Sequence, residues 1–207
     1  MRTALVAALA VLSCVSSPAA APSASPTPSP SLPPAPRSAS PTPLTPAAAL
    51  ALRVYEEMLA GSSGKVRETT ADVVRLWKIQ RPDGVTLDVS GARAERWIVV
   101  GGQAWHASAS EAWTKVAPPG FRPSLLGYEA QLDSVTLALR SGRAVLQRDQ
   151  VACAAGLCAV LLDALLQATL VIDPRRNVLL EARLPGMLRE YYDYDVLNDI
   201  RPPDAKR

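Results

Sequence analysis

The chain has 207 residues, with 22 Lys and Arg side chains, 19 Asp and Glu side chains, one His and three Cys. This length predicts one globular domain plus further segments, since domains cluster at about 100–150 residues. Among the basic residues only Arg2 and Arg37 precede position 47, so the remainder is close to neutral and has no nucleic-acid footprint. A single His excludes most zinc sites and any motif with two histidines, and we expect neither a metal nor a cofactor.

The first 14 residues predict a secretory signal. Arg2 precedes a short apolar run at positions 4–12, about half of the ~20 residues that a permanent transmembrane helix needs. The run ends in Val11-Leu12-Ser13-Cys14, which resembles a bacterial lipobox, although Leu12 is bulky for its position. The Cys of a lipobox is acylated and becomes the first residue of the mature chain. Cleavage after Ala21, disfavoured by the proline that follows, and a secreted protein with an incidental Cys14 are the alternatives.

Residues 15–46 predict a disordered linker. They are almost wholly Pro, Ala, Ser and Thr, and eleven of the 19 prolines fall between Pro18 and Pro46. Such a segment buries no core, and at about 3.1 Å per residue it reaches on the order of 100 Å. Acyl chains on Cys14, of the palmitate kind, contribute about 0.8 kcal/mol per buried methylene and anchor stably when there are several. We therefore expect residues 47–207 to be held outside a bacterial membrane, on its periplasmic or cell-surface side.

Two helices are predicted in the domain. Thr45 suits an N-cap, Pro46 the first helical position and Gly61 the C-cap of a helix over residues 46–60. Residues 123–141 are ambiguous, because part of the segment alternates like a strand. Apolar residues at helical spacing, with Pro near the start and Gly142 past the end, favour a helix there.

The rest of the domain predicts an antiparallel sheet. Gly101-Gly102 separates two short apolar runs and indicates a tight hairpin, and Pro185-Gly186 indicates another turn. No segment between these early strands is long enough for a helical crossover. From Lys65 onward the predicted strands include residues 85–89, 96–100, 103–107, 112–116, 144–151, 159–163, 169–172, 178–184 and 190–197.

Cys153 and Cys158 flank Ala-Ala-Gly-Leu, and facing positions of a hairpin bring such residues within bridging range. Closing so short a loop stabilises by only about 2 kcal/mol. A redox-active pair is the alternative, but the spacing differs from Cys-x-x-Cys and no basic residue lies between them. We predict a structural disulfide.

The element order on a tethered chain resembles the LolA-like and LppX-LprG-type periplasmic lipid-binding lipoproteins. The local similarity lies in Trp97 to Trp105 followed by Trp113-Thr114-Lys115, in Ile172-Asp173-Pro174, and in Tyr192-Asp193-Tyr194 leading to Pro202-Pro203. The segment from Ala159 to Leu170 departs from the family, since it is richer in Ala and Leu than a clean strand pair. The similarity in element order covers most of residues 47–207.

This resemblance implies an α+β fold, a strongly curved antiparallel sheet forming an unclosed half-barrel with helices covering its concave face. An apolar cavity between sheet and helices accepts acyl chains in such proteins. If side chains fill that space, the same pattern describes an ordinary core. The residues expected to line it are Val85, Leu87, Val89, Leu125, Leu132, Val135 and Leu139.

The leading interpretation is a monomeric, membrane-anchored protein that binds lipid or acyl chains, for carriage or transfer, and is not an enzyme. The alternative is a sensor or scaffold lipoprotein of the same fold that binds a protein partner. A Ser-His-Asp hydrolase would depend on His106, the single His, and no Gly-x-Ser-x-Gly elbow accompanies it. We therefore expect His106 to be an ordinary strand residue.

Overall fold

The computed structural model describes residues 43–108, 111–118 and 133–204. Within these ranges two helices and eleven strands follow in the order α1 (Pro46–Ala60), β1 (Ser63–Thr70), β2 (Val73–Gln80), β3 (Gly84–Gly91), β4 (Glu95–Val100), β5 (Gln103–Ser108), β6 (Thr114–Val116), α2 (Ser134–Arg140), β7 (Val145–Cys153), β8 (Gly156–Asp163), β9 (Ala168–Asp173), β10 (Val178–Leu184) and β11 (Met187–Tyr192).

The first helix has the predicted bounds. The Thr45 hydroxyl accepts a hydrogen bond from the Ala48 backbone N–H at 3.2 Å, and the Gly61 N–H donates to the Glu57 carbonyl at 2.8 Å. Because one helix face carries the apolar residues, that face is buried. Its buried members are Ala48, Leu50, Ala51, Val54 and Met58.

The second helix is confirmed over part of its expected length. It spans seven residues, and positions 123–132 of the predicted helix, with Leu125 and Leu132 among them, lie outside the described residues. Asp133 is its N-cap, and the side-chain Oδ1 accepts from the Val135 N–H at 2.7 Å. The N-terminal end of this helix is therefore held by a carboxylate.

The strands form one large antiparallel sheet that does not close on itself. Its order is β6-β5-β4-β3-β2-β1-β11-β10-β9-β8-β7. Each half is a meander of sequential neighbours, and the pairing of β1 with β11 joins the halves. The predicted antiparallel sheet is confirmed.

Turn chemistry explains several strand ends. Gly101 and Gly102 adopt φ angles of 58° and 71°, the left-handed values of a tight hairpin turn between β4 and β5. In the Ala- and Leu-rich segment, β8 ends at Asp163 and β9 begins at Ala168, which settles the boundaries there.

The predicted strand over residues 190–197 is wrong beyond Tyr192. Asp193 and Asp195 take left-handed φ angles of 52° and 63°, so the chain turns away from the sheet. Asn198 then fixes the following segment, its Nδ2 donating to the carbonyls of Gly64 at 3.3 Å and Ile79 at 3.0 Å. Strand β6 is likewise shorter than predicted, beginning at Thr114.

One hydrophobic cluster joins both helices to one face of the sheet, which we call the core face. Val54 of α1 and Leu139 of α2 belong to it, together with Trp77, Leu87 and Leu170 from strands of both halves. The main helix–sheet contacts are those of α1 with β7 and β10 and of α2 with β9, and the helices also contact each other. The opposite side of the sheet is called the outer face below.

Gly91, at the end of β3, provides a test of the β2–β3 register. Its φ is 132°, and a Cβ there would lie 2.4 Å from the Asp72 carbonyl oxygen. We expect Gly91→Ala to lower the free energy of unfolding by about 2–4 kcal/mol in urea denaturation followed by circular dichroism, since both strain and a backbone clash arise. Gly186→Ala is the control: its φ is 72° with open space around it, and about 1 kcal/mol is expected. Equal losses for the two variants would contradict the register.

Candidate functional site

The strand register aligns the core-face side chains of β1–β6 and β11 in three rows that cross the strands. The apolar row contains Ile79, Val85, Val99, Ala104 and Val116. The aromatic row contains Tyr191, Val66, Trp77, Leu87, Trp97, His106 and Thr114. The charged row contains Arg189, Glu68, Arg75, Val89, Glu95 and Ser108. Successive rows lie about 7 Å apart, because same-face residues alternate along a strand.

These rows grade from apolar to charged across the core face. Ile79, Val85 and Val99 of the apolar row are buried, and so are Trp77 and Leu87 of the aromatic row. On each strand, the charged row is two residues from the aromatic row, on the side away from the apolar row. The core face is therefore apolar and buried at one end and carries ionised groups at the other.

Five of the seven predicted cavity residues fall on this surface or on α2. Val85, Leu87, Val135 and Leu139 belong to the core cluster, and Val89 packs against it from the charged row. Leu125 and Leu132 lie outside the described residues. The fold thus brings together residues that lie about 50 positions apart in the chain.

The charged row contains an ion network whose centre, Arg189 with Glu68 and Asp133, is buried. The Arg189 guanidinium donates to Glu68 Oε2 through Nε at 2.9 Å and through Nη2 at 2.7 Å, and its Nη1 donates to Asp133 Oδ2. Arg75 donates to the other Glu68 oxygen. The charges alternate along the chain of contacts, so the network is balanced within itself.

The carboxylates of Glu68 and Asp133 stabilise the charged form of the Arg189 guanidinium in this buried position. Burial by itself lowers the pKa of Arg189, but Tyr191, Asp133 and Glu68 outweigh it and the pKa lies above its usual value. Burial also raises the pKa of the neighbouring Tyr191 hydroxyl above its usual range. Because Asp133 caps α2, the network connects that helix to strands β1 and β11.

This network was not predicted from the sequence. The alternation of β1 places Glu68 on the same face as buried Val66, and that of β11 places Arg189 with Tyr191. Strand alternation therefore shows that each charged residue lies on the buried face. It does not show that Glu68 and Arg189 meet, because that depends on pairing two segments 121 residues apart.

His106 lies on the core face beside Glu95 and Trp97. Its Nε2 is 3.1 Å from Glu95 Oε2, and its ring centroid is 4.4 Å from that of Trp97. Its described contacts are thus those of a strand residue in a polar and aromatic setting.

Asp163 forms a second buried polar site, at the end of β8. Its Oδ1 accepts from the N–H groups of Leu165 at 3.1 Å and Leu166 at 3.2 Å, while Oδ2 accepts from Ser141 and Arg143, both at 3.1 Å. Burial raises the pKa of this carboxyl, but the hydrogen bonds outweigh burial and the pKa lies below its usual value. The site fixes the turn between β8 and β9 to the end of α2.

Cys153 and Cys158 lie at disulfide-bonding distance, with their Cα atoms 6.0 Å apart. They do not occupy directly facing positions: Cys158 faces Val151 and Cys153 faces Gly156. The bridge therefore crosses the hairpin diagonally. Cys14 lies outside the described residues.

Neither the protein-family models nor the curated proteins contain a match to this chain. Of the helices in the described ranges, neither is long and apolar enough to cross a bilayer. Over residues 43–108, 111–118 and 133–204, no three His, Cys, Asp or Glu side chains are grouped so that they could hold a metal ion.

Removing Arg189 leaves the buried Asp133 without its cation and leaves Glu68 with Arg75 alone. We expect Arg189→Met to lower the free energy of unfolding by about 3–5 kcal/mol. Arg183→Gln is the matched control, because Arg183 pairs with Glu181 on the exposed outer face and such pairs contribute about 0–1 kcal/mol. Chemical denaturation of both variants measures the difference. A loss below 1 kcal/mol for Arg189→Met would contradict the network.

Asp163 predicts a defined pH dependence. Its pKa is lower in the folded chain than the value of about 3.9 in an unfolded chain, so its charge stabilises the fold above that value and the contribution disappears on acidification. The stability gap between the natural chain and Asp163→Asn should be constant at pH 5–7 and shrink below about pH 4. Leu137→Ala, an exposed and non-ionising change on α2, should show no such narrowing. A gap that widens towards acid would reverse the assigned direction.

Proposed function

We propose that this chain is a membrane-anchored extracytoplasmic lipoprotein that binds lipid or acyl chains, for carriage or transfer. The observation that carries the proposal is the ordered gradient on the core face, from the apolar row through the aromatic row to the charged row. An amphiphile has the same order of properties along its length. The acyl chain and the polar head of such a ligand would therefore each contact residues of matching polarity on the core face.

The proposed architecture is a curved half-barrel whose concave side is the core face, with α1 and α2 covering it. The open sheet and the shared core of helices and strands support this arrangement. Acyl chains would lie between the helices and the apolar and aromatic rows, where Val85, Leu87, Val135 and Leu139 are found. Entry and release require the helices to move away from the sheet.

The mechanism needs no catalytic group. Apolar burial contributes about 0.8 kcal/mol per methylene, so a chain of about fifteen methylenes gains about 12 kcal/mol before entropy losses. That gain suffices for tight binding. Acylated Cys14 and the linker of residues 15–46 would keep the protein at the membrane that supplies or receives the lipid.

One observation favours the alternative of a protein-binding sensor or scaffold. Strand β7 is at the edge of the sheet, and Val145 and Leu146 on it are each 51 % exposed. Leu157 on the adjoining β8 is also exposed. An apolar sheet edge of this kind suits contact with a protein partner.

Tryptophan fluorescence distinguishes lipid binding from the protein-binding alternative. Two of the four Trp residues lie on the core face and two on the outer face, so quenching by a lipid reports which face it contacts. Trp77 and Trp97 lie on the core face. Trp105 occupies an alternate position of β5 and therefore lies on the outer face, and the Trp113 ring stacks against Arg96 on that face. Brominated stearic acid should quench the tryptophan fluorescence of the natural chain with a saturable dependence on its concentration. The double variant Trp105→Phe/Trp113→Phe, which keeps the two core-face Trp residues, should behave in the same way. In Trp77→Phe/Trp97→Phe most of the quenching should be lost.

The full chain is used, and circular dichroism of each variant checks its fold. If the fluorescence of Trp105 and Trp113 accounted for the quenching, the acyl chain would bind elsewhere on the molecule. No saturable quenching in any variant would overturn lipid binding, and the sensor or scaffold function would then lead.

A further inference from the structure

We propose that the charged row binds the polar head of the amphiphile and that this head is a zwitterion. Its ammonium is held between Glu95 and Trp97, and its phosphate by Arg75. The inference rests on the proposed function and adds the class of lipid. It follows from the distribution of charge, exposure and aromatic surface along the row.

Among the residues that the structure describes, Glu95 is the carboxylate of the row that pairs with no Arg or Lys. Glu68 and Asp133 are balanced by Arg189 and Arg75. Within the described part of the chain, the ion-pair partner of Glu95 is His106, which is charged only when protonated. A ligand cation would supply the missing positive charge.

Exposure separates the two binding groups from the structural ones. The side chains of Arg75 and Glu95 are 37 % and 41 % exposed, whereas those of Arg189 and Glu68 are 12 % and 7 % exposed. The buried pair therefore stabilises the sheet. The two exposed groups remain accessible to a ligand.

The surroundings of Glu95 suit an ammonium group. Trp97 follows it on the same face of β4, and the Trp97 and His106 rings meet at 4.4 Å with an angle of 47° between their planes. Aromatic faces beside a carboxylate attract ammonium and quaternary ammonium groups by cation–π interaction. An ammonium there contacts both the negative charge and the ring.

Arg75, which already pairs with Glu68, supplies further N–H donors at a suitable distance. Arg75 and Glu95 both face Val89, from opposite sides, so their Cα atoms are separated by two strand spacings, about 10 Å. A guanidinium has five N–H donors, and the described contacts of Arg75 use one of them, towards Glu68. The remaining donors match the oxygens of a phosphate. A head group with adjacent phosphate and ammonium fits between two such long side chains.

Competition against a fluorescent acyl probe tests the inference in the full chain. The competitors share one acyl chain and differ in the head: lysophosphatidylcholine and lysophosphatidylethanolamine, lysophosphatidylglycerol, and the uncharged monoacylglycerol. We expect the two zwitterionic lipids to bind at least tenfold more tightly than the other two. Glu95→Gln should abolish their advantage over lysophosphatidylglycerol, and Arg75→Gln their advantage over monoacylglycerol.

Outer-face variants serve as controls. Asp88→Asn and Arg67→Gln remove the same charges from neighbouring positions of opposite parity, and head-group preference should be unchanged. Arg75→Lys keeps a cation beside Glu68 and should retain part of the preference if Arg75→Gln does not fold.

The outcomes distinguish the inference from the proposed function. Equal affinity for all four lipids, or a preference for lysophosphatidylglycerol, would overturn the zwitterion site while leaving acyl binding in place. Preference that survives Glu95→Gln would also overturn it. Failure of every lipid to displace the probe, together with no probe binding, would overturn the proposed function itself.

Discussion

The antiparallel pairing of β1 with β11 holds the two halves of the sheet together. It joins two meanders into one sheet and brings Glu68 to Arg189 across 121 residues of sequence. A shift of one residue in this register would turn every side chain of one half to the other face. It would separate Glu68 from Arg189 and would bury either Arg67 or Glu190, depending on which half turned over. The ion pair and the apolar alternation therefore specify the same register.

The core-face gradient follows from the registers of β1 with β2, β2 with β3 and β3 with β4. Each of β2, β3 and β4 carries an apolar residue, then an aromatic or aliphatic one, then a member of the charged row, at alternate positions. Side by side, these strands convert a pattern along the sequence into three rows across the sheet. The surface depends on backbone pairing more than on any single contact, which is why it extends over several strands.

The sequence predicted those parts of the fold that local chemistry determines. Thr45, Pro46 and Gly61 delimit α1, and Gly101-Gly102 forms the hairpin turn. The error at residues 193–197 has a local cause as well: two Asp residues adopt left-handed backbone, which aromatic periodicity in that segment does not reveal. The pairing of Cys153 with Cys158 was predicted, and the Cα distance agrees with it, but the expectation of facing hairpin positions was wrong because the two Cys are diagonal.

The polar part of the candidate site was not predictable from local pattern. Glu68 and Arg189 read as ordinary strand charges until β1 and β11 are paired, and Asp133 becomes their partner only through its place at the N-cap of α2. The apolar members Val85 and Leu87 were predicted because alternation alone identifies them. Alternation along single strands identifies the apolar residues, whereas the pairing of β1 with β11 and the N-cap of α2 assemble the ion network around Arg189.

Binding of an amphiphile to the core face can be measured by native mass spectrometry of the full chain purified from bacterial membranes. We expect a stoichiometric non-covalent lipid adduct, one per protein, that organic extraction removes and whose mass identifies the head group. A protein that carries no adduct and takes up no added lyso-lipid would contradict it. The apolar and aromatic rows would then be an ordinary filled core.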